Sequence, residues 1–205
     1  MSQFLEIKLT ARRGNWRKYY ARKQNKRFQK LAQQIFKRDQ YTCRYCGFIA
    51  GRFNEVVNID QNYDNNALDN MVTACGFCAQ CFFLDNLGFD SKTGGSIIHL
   101  PEITQGELNN FCRVLFCALD KQNSYKAKLQ SVYLSLRDRN KNVENCFGPN
   151  SSEPRIFGQG LIDTGLNEQQ LTHNLLNELR LLPSRKAFSE QIEYWKITVF
   201  SKVPL

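Results

Sequence analysis

Cys43-Arg44-Tyr45-Cys46 and Cys75-Gly76-Phe77-Cys78 share one spacing, with two residues between the thiols of each pair and 28 residues between the pairs. Two intervening residues let a tight turn aim both sulfurs at one ion, and Gly47, directly after the first pair, relieves the backbone there. Four thiolates can close a tetrahedral shell and leave no open position, the arrangement of a structural metal rather than a catalytic one. The pattern therefore predicts one structural Zn2+ per chain, held by Cys43, Cys46, Cys75 and Cys78, with the fold organised around it. At 205 residues the chain is long enough to bury a core, so it does not need a metal merely because it is small.

The chain has eight cysteines, which raises the alternative of a disulfide framework. The start Met1-Ser2-Gln3-Phe4-Leu5-Glu6 shows no charged segment followed by an apolar run and a cleavage site. No stretch approaches the roughly 18 uninterrupted apolar residues of a membrane span. A cytoplasmic chain with reduced thiols is expected, and there paired cysteines usually mean metal. Cys81 lies three residues beyond Cys78 on the same expected helical face, so it could replace one ligand or be a packed thiol. Cys112 and Cys117, five apart among apolar neighbours, read as core. Nothing supports a role for Cys146. His99 and His173 are isolated from the paired cysteines and read as ordinary side chains rather than ligands.

Charge is unevenly placed. Residues 1–40 hold twelve Lys and Arg against Glu6 and Asp39, a net of +10, whereas the whole chain carries +9 and the remaining 165 residues a net of −1. A local basic region of this kind attracts nucleic acid, anionic lipid or an acidic protein partner, or is only a solvated helix face. Its aromatics Trp16, Tyr19 and Tyr20 suit either an interface or ordinary core packing.

Phe4, Ile7 and Leu9 suggest a short opening strand, and Phe28, Leu31, Ile35 and Phe36 fall at helical spacing with basic residues opposite. Between Tyr41 and Cys81 the pattern breaks into turn signals and short apolar pieces, as in a chain built around a metal. Ser96 to Leu100 reads as a strand stopped by Pro101. Thr104 and Glu107 form a capping box ahead of a stripe of Leu108, Phe111, Cys112, Leu115, Phe116 and Leu119. A second helix carries Tyr125, Leu129, Val132, Tyr133 and Leu136, and 148–152 reads as a loop. Asn167 and Gln170 predict a third capped helix with Leu171, Leu175, Leu179 and Leu182. Phe188, Ile192, Trp195 and Val199 line a last one. The class is α+β, with a basic N-terminal region and zinc core over 1–103 and a helical region over 104–205 packed on it as one unit.

Arg38-Asp39-Gln40-Tyr41-Thr42-Cys43-Arg44-Tyr45-Cys46-Gly47 and the stretch from Ile59 to Cys75 resemble the HNH nucleases, in which a zinc-stapled ββα unit carries a second, catalytic metal. That family places a metal ligand and a water-activating histidine directly before an Ile. Here those positions are Val57 and Asn58. Another histidine often follows the last cysteine pair, where this chain has Ala79 and Gln80. Val57 offers no lone pair and Asn58 cannot take a proton near neutral pH. Asn62, Asn65, Asn66 and Asn70 can orient groups but cannot act as a base. Metal-assisted phosphodiester hydrolysis thus loses its base and its ligands. The resemblance implies a degenerate module without enzymatic activity.

A resemblance to the IcmJ/DotN family runs through nearly the whole chain. Trp16-Arg17-Lys18-Tyr19, Cys75 through Phe83, Leu100-Pro101-Glu102, Val114 through Ala118, Ile156-Phe157-Gly158-Gln159 and Arg180 through Arg185 carry it. Members are cytoplasmic components of the Dot/Icm type IVB secretion system of intracellular bacterial pathogens. The resemblance implies a virulence-associated subunit of the coupling complex. It would bind the cytoplasmic tail of the coupling-protein ATPase DotL, alongside DotM and the IcmS-IcmW adaptor pair, and sit peripherally at the inner membrane. The alternative is a catalytically dead HNH-type protein that binds nucleic acid through the basic region.

Overall fold

The computed structural model describes residues 4–89, 92–120, 124–164 and 174–201. Helices α1 (Asn15–Lys23) and α2 (Lys26–Arg38) follow one another after Gly14, whose left-handed backbone opens α1. Asn25 caps α2 by accepting from the Arg27 and Phe28 N–H groups, which would otherwise lack partners. The apolar face of α2, with Phe28, Leu31, Ile35 and Phe36, packs on Val56 and Met71.

Those two residues belong to an antiparallel pair, β1 (Asn54–Asn58) and β2 (Met71–Cys75), with Asn54 opposite Cys75 and Asn58 opposite Met71. Short helix α3 (Gly76–Ala79) continues directly from β2, giving the order strand, strand, helix. Asp39, at the end of α2, is buried and accepts from the Thr73 N–H at 2.7 Å. Arg38 reaches the Leu68 and Met71 carbonyls, both at 2.6 Å, so α2 is stitched to β2 as well as packed on it.

Strand β3 (Gly95–His99) pairs antiparallel with the distant β4 (Leu179–Pro183), Gly95 opposite Pro183 and His99 opposite Leu179. Between them run α4 (Gln105–Leu119), α5 (Lys126–Asp138), α6 (Asn140–Phe147), α7 (Pro154–Thr164) and α8 (Asn174–Asn177); α9 (Ser189–Thr198) follows β4. Two small sheets among helices make the chain α+β. Both halves of the expected capping box at Thr104 and Glu107 are present on α4. Phe77, Phe116, Phe188 and Trp195 form the aromatic centre of the main core, with Phe77 to Phe188 at 4.6 Å and Phe77 to Trp195 at 5.4 Å.

Two expectations are corrected. Phe4 to Leu9 joins no sheet among the described residues. It crosses the core as an extended strap, tied where Leu5 N–H meets the Arg44 carbonyl and Thr10 N–H meets the Cys81 carbonyl. Leu179 and Leu182, read as helical, lie in β4, because their backbone pairs with β3 and Pro183 closes the segment. Helices α1, α6 and α7 are not among the expected elements. The expected caps Asn167 and Gln170, and His173, lie outside the described residues.

Candidate metal centre

Two segments deliver the four cysteines to one point. Cys43 and Cys46 sit on the loop after α2. It is closed by a hydrogen bond from Gly47 N–H to the Cys43 carbonyl, and Gly47 takes the left-handed φ of 75° that this turn requires. Cys75 ends β2 and Cys78 lies on α3. Arg44 N–H bonds the Thr73 carbonyl, so the loop is fixed to the strand that carries Cys75. The sulfurs of Cys43, Cys46, Cys75 and Cys78 lie within 4.8 Å of one another, and all four residues are buried. Cys46 Sγ is 3.7 Å from Cys75 Sγ, far beyond a disulfide and near the roughly 3.8 Å that a tetrahedral shell of 2.3 Å bonds implies. The four can hold a metal ion in a closed shell.

Helix α4 lies over this cluster with three polar side chains. Asn109 Nδ2 donates to Cys78 Sγ at 3.2 Å, and Arg113 Nη2 approaches Cys75 Sγ at 3.3 Å and Cys46 Sγ at 3.8 Å. Asn110 holds the Cys46 carbonyl and accepts from Arg113 Nη1. Burial opposes the Arg113 charge, but the sulfurs of Cys75, Cys46 and Cys78 outweigh it and hold its pKa above the ordinary value. N–H donors converging on sulfur suit thiolates better than thiols, and so suit a metal-bound set. Sequence reasoning missed Asn109 and Arg113. The available signal was a polar column interrupting the apolar face of α4.

Cys81 is buried apart from the cluster. Its thiol donates to the Phe77 carbonyl at 3.4 Å, and burial pushes its pKa well up, so it stays protonated. Cys112 and Cys117 are buried in the core and Cys146 is exposed. His99 bonds Glu178 through Nε2 at 2.8 Å. Tyr19 is core, while Trp16 and Tyr20 pack half-buried against it.

The expected catalytic positions are occupied by structure. Val57 is fully buried. Asn58 accepts from Arg22 Nη1 at 2.6 Å and donates to the Asn62 and Asn65 carbonyls. The Arg22 guanidinium lies 4.5 Å from the ring centres of both Phe28 and Tyr63, filling the space beside Asn58. Ala79 and Gln80 are buried, and Gln80 accepts from the Gly94 N–H.

No family model matches the chain. The type 4 apparatus protein DotN of Legionella pneumophila is 47% identical to it over 201 residues, which cover 98% of this chain and 94% of that protein. The chain belongs to the DotN family. At that coverage the family assignment takes in both sheets, the cysteine cluster and α4 alike. No described helix is long and apolar enough to cross a membrane.

Proposed function

We propose that the chain is a non-catalytic component of a type IV secretion apparatus, and that a structural zinc ion on Cys43, Cys46, Cys75 and Cys78 holds its core. The near full-length 47% identity to a type 4 apparatus protein carries this reading. A closed shell of four sulfurs supports a structural role for the metal. The saturated surroundings of Val57 and Asn58 support a degenerate HNH-like module kept as a scaffold. Residues 1–103 and 104–205 act as one folding unit.

Within the apparatus, the chain binds the cytoplasmic tail of the coupling-protein ATPase DotL, in a complex with DotM and the IcmS-IcmW adaptors. It thereby sits in the cytoplasm against the inner membrane without inserting. The outer face of α2, with Arg13 just before α1, suits encounter with an acidic segment: Arg13, Lys26, Arg27, Lys30 and Lys37 are exposed and pair with no carboxylate among the described residues. Lasting affinity comes from apolar and aromatic contacts, because exposed ion pairs contribute only about 0–1 kcal/mol each. Co-expression with the ATPase tail followed by size-exclusion chromatography is expected to give one complex at both low and high salt. Separate elution of the folded, zinc-loaded chain at both would overturn the reading.

The same basic stripe favours a second reading, backbone binding to nucleic acid without cleavage. That binding would weaken steeply with salt, whereas an apolar protein interface would not.

A further inference from the structure

Arg113 is the only fully buried Lys or Arg among the described residues. No carboxylate among the described residues pairs with it. Its guanidinium is boxed by aromatic rings, 3.6 Å from the centre of Phe48, 5.2 Å from Trp195 and 5.4 Å from Phe77. The remaining side faces Cys46 and Cys75. A buried, permanently charged group needs a negative partner, and aromatic faces supply only part of one. Four thiolates around a divalent ion carry a net charge of −2, which supplies it.

The contacts of α4 continue beyond Arg113 in one column. Asn109, which donates to Cys78, accepts from Gln105 Nε2 at 2.9 Å. Gln105 in turn clamps Leu181 of β4, donating to its carbonyl at 2.9 Å and accepting from its N–H at 2.7 Å. A hydrogen-bonded path thus runs from a cluster sulfur through α4 into the second sheet.

We propose that Arg113 is the counter-ion of the metal–thiolate centre, a positioning residue through which metal binding fixes α4, and with it β4 and β3, onto the N-terminal half. This rests on the reading of the four cysteines as ligands of a divalent ion. The N–H groups of Arg113 and Asn109 draw electron density from three of the four sulfurs, so they set both the affinity of the centre and the energy of its thiolate electrons.

Cobalt(II) titration of the full chain tests the proposal, with metal affinity and the thiolate-to-cobalt charge-transfer bands as readouts. Arg113→Met is expected to bind cobalt about 10–100-fold more weakly than the parent and to move the bands to longer wavelength. Arg113→Lys keeps the charge but loses the fork, and falls between the two. Arg22→Met, which removes an arginine remote from the cysteines, is expected to lower thermal stability while leaving affinity and bands unchanged. A folded Arg113→Met chain with parental affinity and bands overturns the counter-ion role. If that variant does not fold, Arg113→Lys and Asn109→Ala carry the comparison, and unchanged bands in both overturn it. A parent chain that binds no cobalt overturns the ligand reading beneath it.

Discussion

Replacing Cys43, Cys46, Cys75 or Cys78 by Ser exchanges a soft thiolate for a hydroxyl that remains protonated and binds zinc weakly. Metal binding free energy is folding free energy in such a site, so each single Ser variant is expected to lose the ion and most of its stability. Elemental analysis and thermal melts check both effects. Cys81→Ser is expected to keep a full complement of metal and to cost only about 1 kcal/mol, because a hydroxyl can still donate to the Phe77 carbonyl. Asp39 is a different case. Burial pushes its carboxyl up, but hydrogen bonds from Arg38 and the Thr73 N–H outweigh that and hold its pKa below the usual value. A carboxylate depressed in the folded state contributes stability above its unfolded pKa of about 3.9 and loses it as pH falls through the lower folded value. Asp39→Asn is therefore expected to cost about 1.5–3 kcal/mol at neutral pH. The gap between parent and variant should close as denaturant midpoints are followed down through pH 4.

Helix α7 docks on the turn at Leu84 to Asn86 by close backbone approach at Gly158. A Cβ there would lie 2.5 Å from the Asp85 nitrogen and 2.7 Å from the Leu84 carbonyl carbon, neither of which can swing aside. Gly158→Ala is expected to displace α7 and cost about 1–3 kcal/mol, read as a lower melting temperature with metal content unchanged. Elements with a strong local signal were legible in sequence. Helix α2 has an apolar stripe, α4 has a capping box, and β3 is an apolar run stopped by Pro101. Strand β4 was not, because Leu171, Leu175, Leu179 and Leu182 have helical spacing and only pairing with β3 makes the last two extended. Helix α1 was missed for the opposite reason: its aromatics share it with four basic residues, which obscure any stripe.

For the molecule as a whole, charge and core are set apart. The basic surface lies on α1 and α2, while the four-cysteine cluster, the aromatic centre and the inner face of α4 are inside. Reversing Lys26, Lys30 and Lys37 to Glu is expected to leave metal content and melting temperature nearly unchanged. It should slow association with the ATPase tail, most strongly at low salt, with little change in the dissociation rate. Surface-plasmon measurements of both rates at two ionic strengths check this. An equal effect on dissociation would place the stripe within the bound interface rather than on its approach.

The sequence by itself determined which residues could gather around an ion, because the spacing of Cys43-Cys46 and Cys75-Cys78 is a local property of two tight turns. It also determined the localised charge and the absence of a base at Asn58, since residue type alone fixes what a side chain can protonate. Tertiary structure alone decided the rest. Cys81, adjacent in sequence, is turned away to a backbone carbonyl, while Arg113, 35 residues beyond Cys78, is brought against the sulfurs. A ligand turn is written in neighbouring residues. The countercharge that a buried cluster requires is set only by which helix packs over it, and that depends on the whole core.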